Sequence, residues 1–147
     1  MSLKERLLED MKTAMKEKDK DRLSVIRMVR AAIQRMEKDT LKELGEEEVL
    51  MLLTKEVKQR RDAIPDFQRG NRNDLVEAAE REIAILTSYL PQQLQESELK
   101  SIIEDAIRET GASTVKDLGK IMAIVVPKTR GRADGKAVQA LVKTYLQ

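Results

Sequence analysis

Apolar residues recur at three- and four-residue intervals along most of the chain, and this periodicity limits the possible folds more than any other feature. Leu3, Leu7, Met11 and Met15 step by four. Leu23, Ile26, Val29 and Ile33 continue the pattern, followed by Val49, Leu50, Leu53, Val57, Ile64 and Phe67, and then by Leu75, Ala79, Ile83, Leu86 and Leu90. Each set lines one face of a helix. Composition agrees: Leu, Ala, Met, Glu, Lys, Arg and Gln dominate, all strong helix formers. Phe67, Tyr89 and Tyr145 are the only aromatic residues among 147, far fewer than a β-sandwich or barrel would normally use. The expected fold is all-α, with an N-terminal bundle of about four longer helices followed by a small three-helix tail domain.

Punctuation divides the stripes. Ser2 and Glu5 have the spacing of a capping box that opens a first helix. The polar run Glu17-Lys18-Asp19-Lys20-Asp21 ends it, and a second helix runs to about Asp39. Gly45 followed by Glu46-Glu47-Glu48 reads as a turn and an acidic first helical turn, which suits the helix dipole. The third helix extends towards Gly70. Pro65 within it removes the bond to the carbonyl of Arg61 and is expected to kink or end the helix. Asn71 to Asp74 reads as a loop and cap, and a fourth helix is expected to stop at Pro91.

Residues 1–90 are expected to form the N-terminal helical domain, 91–96 a linker, and 97–147 the tail. Helices in the tail are shorter. One spans Ser97 to Thr110 and ends at Gly111, where a left-handed cap is favoured. Ser113 or Thr114 caps the next, which is expected to stop near Pro127. Asp134 caps the last. The apolar faces are Leu99/Ile102/Ile103/Ala106, Leu118/Ile121/Met122/Val125 and Val138/Leu141/Val142/Leu146. Met11, Met15, Met28, Met36, Met51 and Met122 sit mostly at apolar positions and are expected in the core.

Cysteine and histidine are both absent. No thiolate nucleophile, Cys-based metal site or imidazole base is available. The chain has no phosphate-binding Gly-x-x-x-x-Gly-Lys-Ser/Thr loop and no dinucleotide fingerprint. Acid pairs such as Glu104/Asp105 lie in charged helical contexts that explain them without catalysis. No catalytic residue, metal or cofactor is therefore expected. The chain contains no signal-like apolar core and no run long enough to span a membrane, so no membrane partner and a cytoplasmic location are expected.

The net charge of +2 conceals an asymmetry. Residues 1–90 carry 19 basic and 19 acidic side chains. Residues 116–147 carry seven basic residues and two acidic ones, a net of +5 that points to a polyanionic partner. The basic residues concentrate in Pro127-Lys128-Thr129-Arg130-Gly131-Arg132-Ala133-Asp134-Gly135-Lys136, a connection leading into a helix N-terminus. Unsatisfied N–H groups at such a terminus suit a phosphate. Lys128, Arg130, Arg132 and Lys136 would add direct contacts, and Gly131 and Gly135 would let a nucleic-acid backbone approach. The same stretch also fits a solvated basic loop in which Asp134 fills its own N-cap. Gly119, inside a helix, needs close packing or an approaching ligand to offset its cost of ~1 kcal/mol against Ala. Lys120 beside it could join the basic loop. Arg22, Arg27, Arg30 and Arg35, with Lys55, Lys58, Arg60 and Arg61, offer a second basic surface, but interspersed acids make an ordinary solvated face the simpler account.

Gly119-Lys120-Ile121-Met122, the 127–136 stretch, Val138 and Leu141-Val142 together resemble the C-terminal signature of the GatB/YqeY family. Arg22-Leu23-Ser24-Val25-Ile26-Arg27-Met28 and Lys55-Glu56-Val57-Lys58-Gln59-Arg60-Arg61 extend the resemblance over nearly the entire chain. It implies an N-terminal helical part and a tail similar to the tRNA-binding appendage of the amidotransferase B subunit that acts on Glu-tRNA and Asp-tRNA. Carried over by position, Gly119, Lys120, Lys128, Arg130, Gly131, Arg132 and Lys136 become the tRNA-facing candidates. A tRNA-modifying enzyme or synthetase becomes a possible protein partner. The family's carbon–nitrogen ligase activity, with glutamine as amido donor, resides in larger domains and other subunits. The reading from sequence is thus a non-catalytic, tRNA-associated helical protein. Its rival is a protein–protein adapter that uses apolar strips on the N-terminal helices.

Overall fold

The computed structural model describes residues 1–146. Among them are seven α-helices, one short 3-10 turn and no strand. The chain divides into two compact units, Met1–Leu90 and Pro91–Gln147.

In the first unit, α1 (Leu3–Glu17) opens with the Ser2/Glu5 capping box: Ser2 Oγ accepts the amide of Glu5 at 3.1 Å, and the Glu5 carboxylate accepts the amide of Ser2. It closes on Lys18 in the left-handed region. Asp19 caps α2 (Lys20–Thr40) by accepting the amide of Arg22 at 3.2 Å. After Gly45, α3 (Glu46–Arg69) and α4 (Asn73–Thr87) form a closely packed pair, while α1 lies against α2 and α2 also meets α4. Leu7, Ile26, Val29, Val49, Leu53 and Leu86 are essentially removed from solvent at their junction. Each such side chain contributes about 1.5–3 kcal/mol of burial free energy.

Polar contacts fasten this core. Tyr89 is buried, donates its hydroxyl to Asp10 at 2.5 Å and lies under the guanidinium of Arg6, 4.9 Å from the ring centre. Burial and the neighbouring Asp10 carboxylate push the Tyr89 pKa well above its ordinary value. Arg60 is drawn between α3 and α4, bonded to Glu56 at 2.7 Å and Glu82 at 2.9 Å with its side chain only 14% exposed. It is therefore a cross-brace between helices and not part of a basic face.

Several sequence expectations need correction. Pro65 does not end α3, which runs on four residues to Arg69. Pro65 and Arg61 are both exposed, so water can satisfy the carbonyl that loses its amide partner. The fourth helix stops at Thr87, ahead of Pro91, with turns over 88–90. Met15, Met28, Met36 and Met51 are exposed, not in the core, while Met11 and Met122 are partly buried against it. A strict four-residue step drifts about 40° around a helix at each repeat. By Met15 the stripe has turned away, and Ala14 takes the buried position.

In the second unit, α5 (Glu96–Thr110) ends at Gly111 with φ +68°. A 3-10 turn (Val115–Asp117) leads directly into α6 (Leu118–Thr129), and α7 (Gly135–Tyr145) follows a tight connection. α6 continues two residues past Pro127, whose ring lies at the surface. Ile103, Ala106, Ile121, Val125, Val138 and Val142 form the centre of a small separate core. Tyr145 donates to Glu104 at 3.1 Å, tying α7 to α5.

Candidate nucleic-acid interface

The connection between α6 and α7 is built around Thr129. Its side chain is buried, its hydroxyl donates to the carbonyl of Val125 at 3.0 Å, and its own carbonyl accepts the amides of Arg132 at 2.8 Å and Ala133 at 3.1 Å. This double acceptance folds the chain back within four residues. Gly131 turns the corner at φ +75°, a conformation that disfavours residues with a Cβ.

The expected linker is part of this structure. The amide of Leu94 donates to the carbonyl of Arg132 at 2.8 Å. Arg132 Nε donates to the carbonyl of Gln92 at 3.0 Å. Gln93 Nε2 donates to the carbonyl of Gly131 at 2.9 Å. Residues 92–94 therefore lie bonded along the turn. Sequence reasoning missed Thr129, Gln92 and Gln93 as builders of the site. Pairings across about forty residues leave no local signal, and a glutamine in a polar stretch reads as solvent-facing.

The seven candidate residues separate into distinct places. Gly131 is buried and spends its carbonyl on Gln93. Arg132 is half-buried and spends Nε on Gln92. Both hold the turn together. Lys128, Arg130 and Lys136 are exposed around it. Lys128 and Lys136 have no ion-pair partner among the described residues. Gly119 and Lys120 lie at the other end of α6, eight residues from Lys128 and so about 12 Å away along the axis. Lys120 therefore does not join the turn; it faces Asp117 at 3.9 Å with its side chain 71% exposed. Gly119 is exposed, and a Cβ there would meet nothing within 4 Å. The close packing expected to explain this glycine is absent.

Asp134 occupies the N-cap position of α7, yet its side chain makes no capping hydrogen bond. Among the described residues, the opening amides of α7 thus have no capping side-chain acceptor. Gly135, first in the helix, is exposed with open space around its Cα. Positive charge and outward N–H groups coincide here, the combination that receives a phosphate. Acidic residues lie elsewhere: 91–115 carry five carboxylates and two basic residues, against two and seven in 116–147. Among the carboxylates, Asp117 is held below its usual range by the amides of Ser113 and Thr114. No group of three or more carboxylates among the described residues is arranged to hold a metal ion.

The family model described as Yqey-like protein matches residues 4–146. Similar curated proteins are fungal and carry the name Altered inheritance of mitochondria protein 41, mitochondrial. The one from Lachancea thermotolerans is 32% identical over 143 residues, covering 92% of this chain and 76% of its own length. That from Pyrenophora tritici-repentis is 29% identical over 132 residues, covering 87% and 71%. That from Vanderwaltozyma polyspora is 28% identical over 149 residues, covering 95% and 77%. Their names overturn the expected cytoplasmic location, which rested on the lack of a long apolar segment, and that lack does not fix a compartment. With the family model spanning both units and one relative matched at this identity across most of both chains, the chain belongs to the Yqey-like protein family.

Proposed function

We propose that the C-terminal unit binds folded RNA through its phosphate backbone, with tRNA as the favoured ligand, and that it is the counterpart of the tRNA-binding tail of the amidotransferase B subunit. The observation that carries this reading is that Lys128 and Lys136, exposed and without an ion-pair partner among the described residues, lie before and after a start of α7 that Asp134 does not cap with its side chain. Lys128 and Lys136 supply attraction, and the α7 amides supply directional donors to a phosphate oxygen. Arg130 adds a third charge at the same turn. Gln93 and Arg132 keep the turn preorganised. The unit has one aromatic residue, Tyr145, and its hydroxyl is engaged by Glu104, so stacking of splayed bases has little support. Recognition then follows shape and phosphate position. In this reading the protein is a non-catalytic partner of tRNA metabolism that presents tRNA to, or holds it for, a modifying enzyme or synthetase.

Salt dependence tests it. Engagement of about three phosphates gives a log–log slope of affinity against salt near −2 to −3. A slope near zero, or no binding of folded total tRNA at low salt, would refute the reading.

A further inference from the structure

The basic residues that offered a second surface on the N-terminal unit go to different places in the structure. Arg22 pairs with Asp19 at 3.7 Å, and Arg60 braces α3 to α4. Arg30 is half-buried, with a guanidinium N–H directed at the sulfur of Met11, 3.1 Å away. Arg27 and Arg35 remain on the outer face of α2, and Lys20 and Lys38 join them there. All four are exposed, and none has an ion-pair partner among the described residues. At about 3.6 residues per turn the four fall within an arc of about 80°, in a row about 27 Å long. Ser24, Ala31 and Gln34 fill the spaces between them and are exposed and uncharged. The acids of α2 lie off this row. Asp21 turns aside to Arg81 of α4 at 3.5 Å. Glu37 is on the opposite flank, where it pairs with Lys4 and accepts the amide of Leu44. Asp39, exposed and about 40° beyond Arg35, forms no ion pair with it. The acids that favoured a mixed, solvated face therefore stand outside a ridge of four cations.

The make-up of the ridge selects its partner. Protein interfaces draw most of their affinity from a few large anchors, and the only apolar side chain in the row is Ala31. Met28, beside the row, is turned towards Arg60. A helix that lies on a membrane needs a bulky apolar face to insert, and α2 turns its own, Val25, Ile26, Val29 and Ile33, into the core. Phosphate binding needs neither, because counterions released from a polyanion supply the affinity. The guanidinium groups of Arg27 and Arg35 can each hold two phosphate oxygens, and the short side chains of Ser24 and Ala31 leave room for a sugar–phosphate backbone between them. We propose that the outer face of α2 is a second RNA-binding element, which holds the phosphate backbone of a folded RNA along the helix. It shares its class of ligand with the C-terminal turn and none of its residues.

The test measures binding of labelled, folded total tRNA to the full chain by fluorescence anisotropy at several salt concentrations. R27A/R35A should lower affinity at low salt by about tenfold or more and make the log–log salt slope shallower by about 1.5–2. Its melting temperature should not fall, because exposed helical positions accept alanine. R27Q/R35Q, which keeps side-chain length without the charge, should lose as much affinity. K55A/R61A removes two exposed cations from α3 and should bind almost as wild type does, which separates the ridge from a general loss of charge. Lys128→Ala/Lys136→Ala, measured alongside, separates the two surfaces: a loss in R27A/R35A supports the ridge even where the C-terminal variant shows none. The proposal is overturned if R27A/R35A binds tRNA like wild type, whatever the C-terminal variant does, or if K55A/R61A loses as much. In the first case, loss of binding to phosphatidylserine vesicles by R27A/R35A would assign the ridge to a lipid surface.

Discussion

Arg132 donates Nε to the carbonyl of Gln92 at 3.0 Å, joining the α6–α7 turn to a segment forty residues earlier. This contact assigns Arg132 a structural task in the stretch where every basic residue had been a candidate RNA ligand. Arg132→Ala should lower the stability of the C-terminal unit by about 1 kcal/mol, the usual net worth of a partly exposed hydrogen bond. Amide exchange should show residues 92–94 and 130–134 losing protection together. Unchanged protection of 92–94 would mean that the contact does not hold the segment.

Two glycines of the same motif should respond in opposite directions. Gly131 is buried at φ +75°, so Gly131→Ala should destabilise the unit by about 1–2 kcal/mol. Gly119 is exposed, in the second position of α6, with open space at its Cβ. Gly119→Ala should be neutral or stabilising by up to ~1 kcal/mol. If Gly119→Ala nevertheless weakens RNA binding without loss of stability, this glycine admits a ligand backbone, and the interface extends along α6. Thermal melts and tRNA titrations of both variants decide the matter.

The pH dependence of the N-terminal unit has a definite sign. The native pKa of Tyr89 lies above its ordinary value of 10.0, so its contribution to stability is complete below pH 10 and falls as pH rises beyond it. The native pKa of Glu37 lies below 4.5, because Lys4 and the amide of Leu44 favour the carboxylate. Its contribution is present above that pH and falls as the solution is acidified. Melting temperature against pH should decline on both limbs, with Tyr89→Phe flattening the alkaline limb and Glu37→Gln the acid one. A limb left unaltered by its variant would show that the named group is not its source.

What the sequence made legible was periodic or local. Ser2 with Glu5 and Gly111 after α5 act over one helical turn, and both caps form where these residues predict. The apolar stripes of the tail meet in one core for the same reason. Pro65 does not end α3, because proline's penalty depends on whether the orphaned carbonyl reaches water, and the carbonyl opposite Pro65 lies at an exposed position. Methionine was misread because hydrophobic character alone does not say which side of a stripe a residue falls on. The basic turn was found by charge. Its division into exposed Lys128 and Lys136 and structural Gly131 and Arg132 depends on contacts with Gln92 and Gln93 that no local pattern announces.

The most direct test of the central claim compares tRNA binding by wild type and Lys128→Ala/Lys136→Ala, two exposed substitutions that leave Arg132, Gly131 and the core untouched. Removing two phosphate contacts should reduce affinity at low salt by about tenfold or more and make the salt slope shallower by about 1.5–2, with an unchanged melting temperature. Equal affinity and slope in a variant that melts like wild type would contradict RNA binding through this turn.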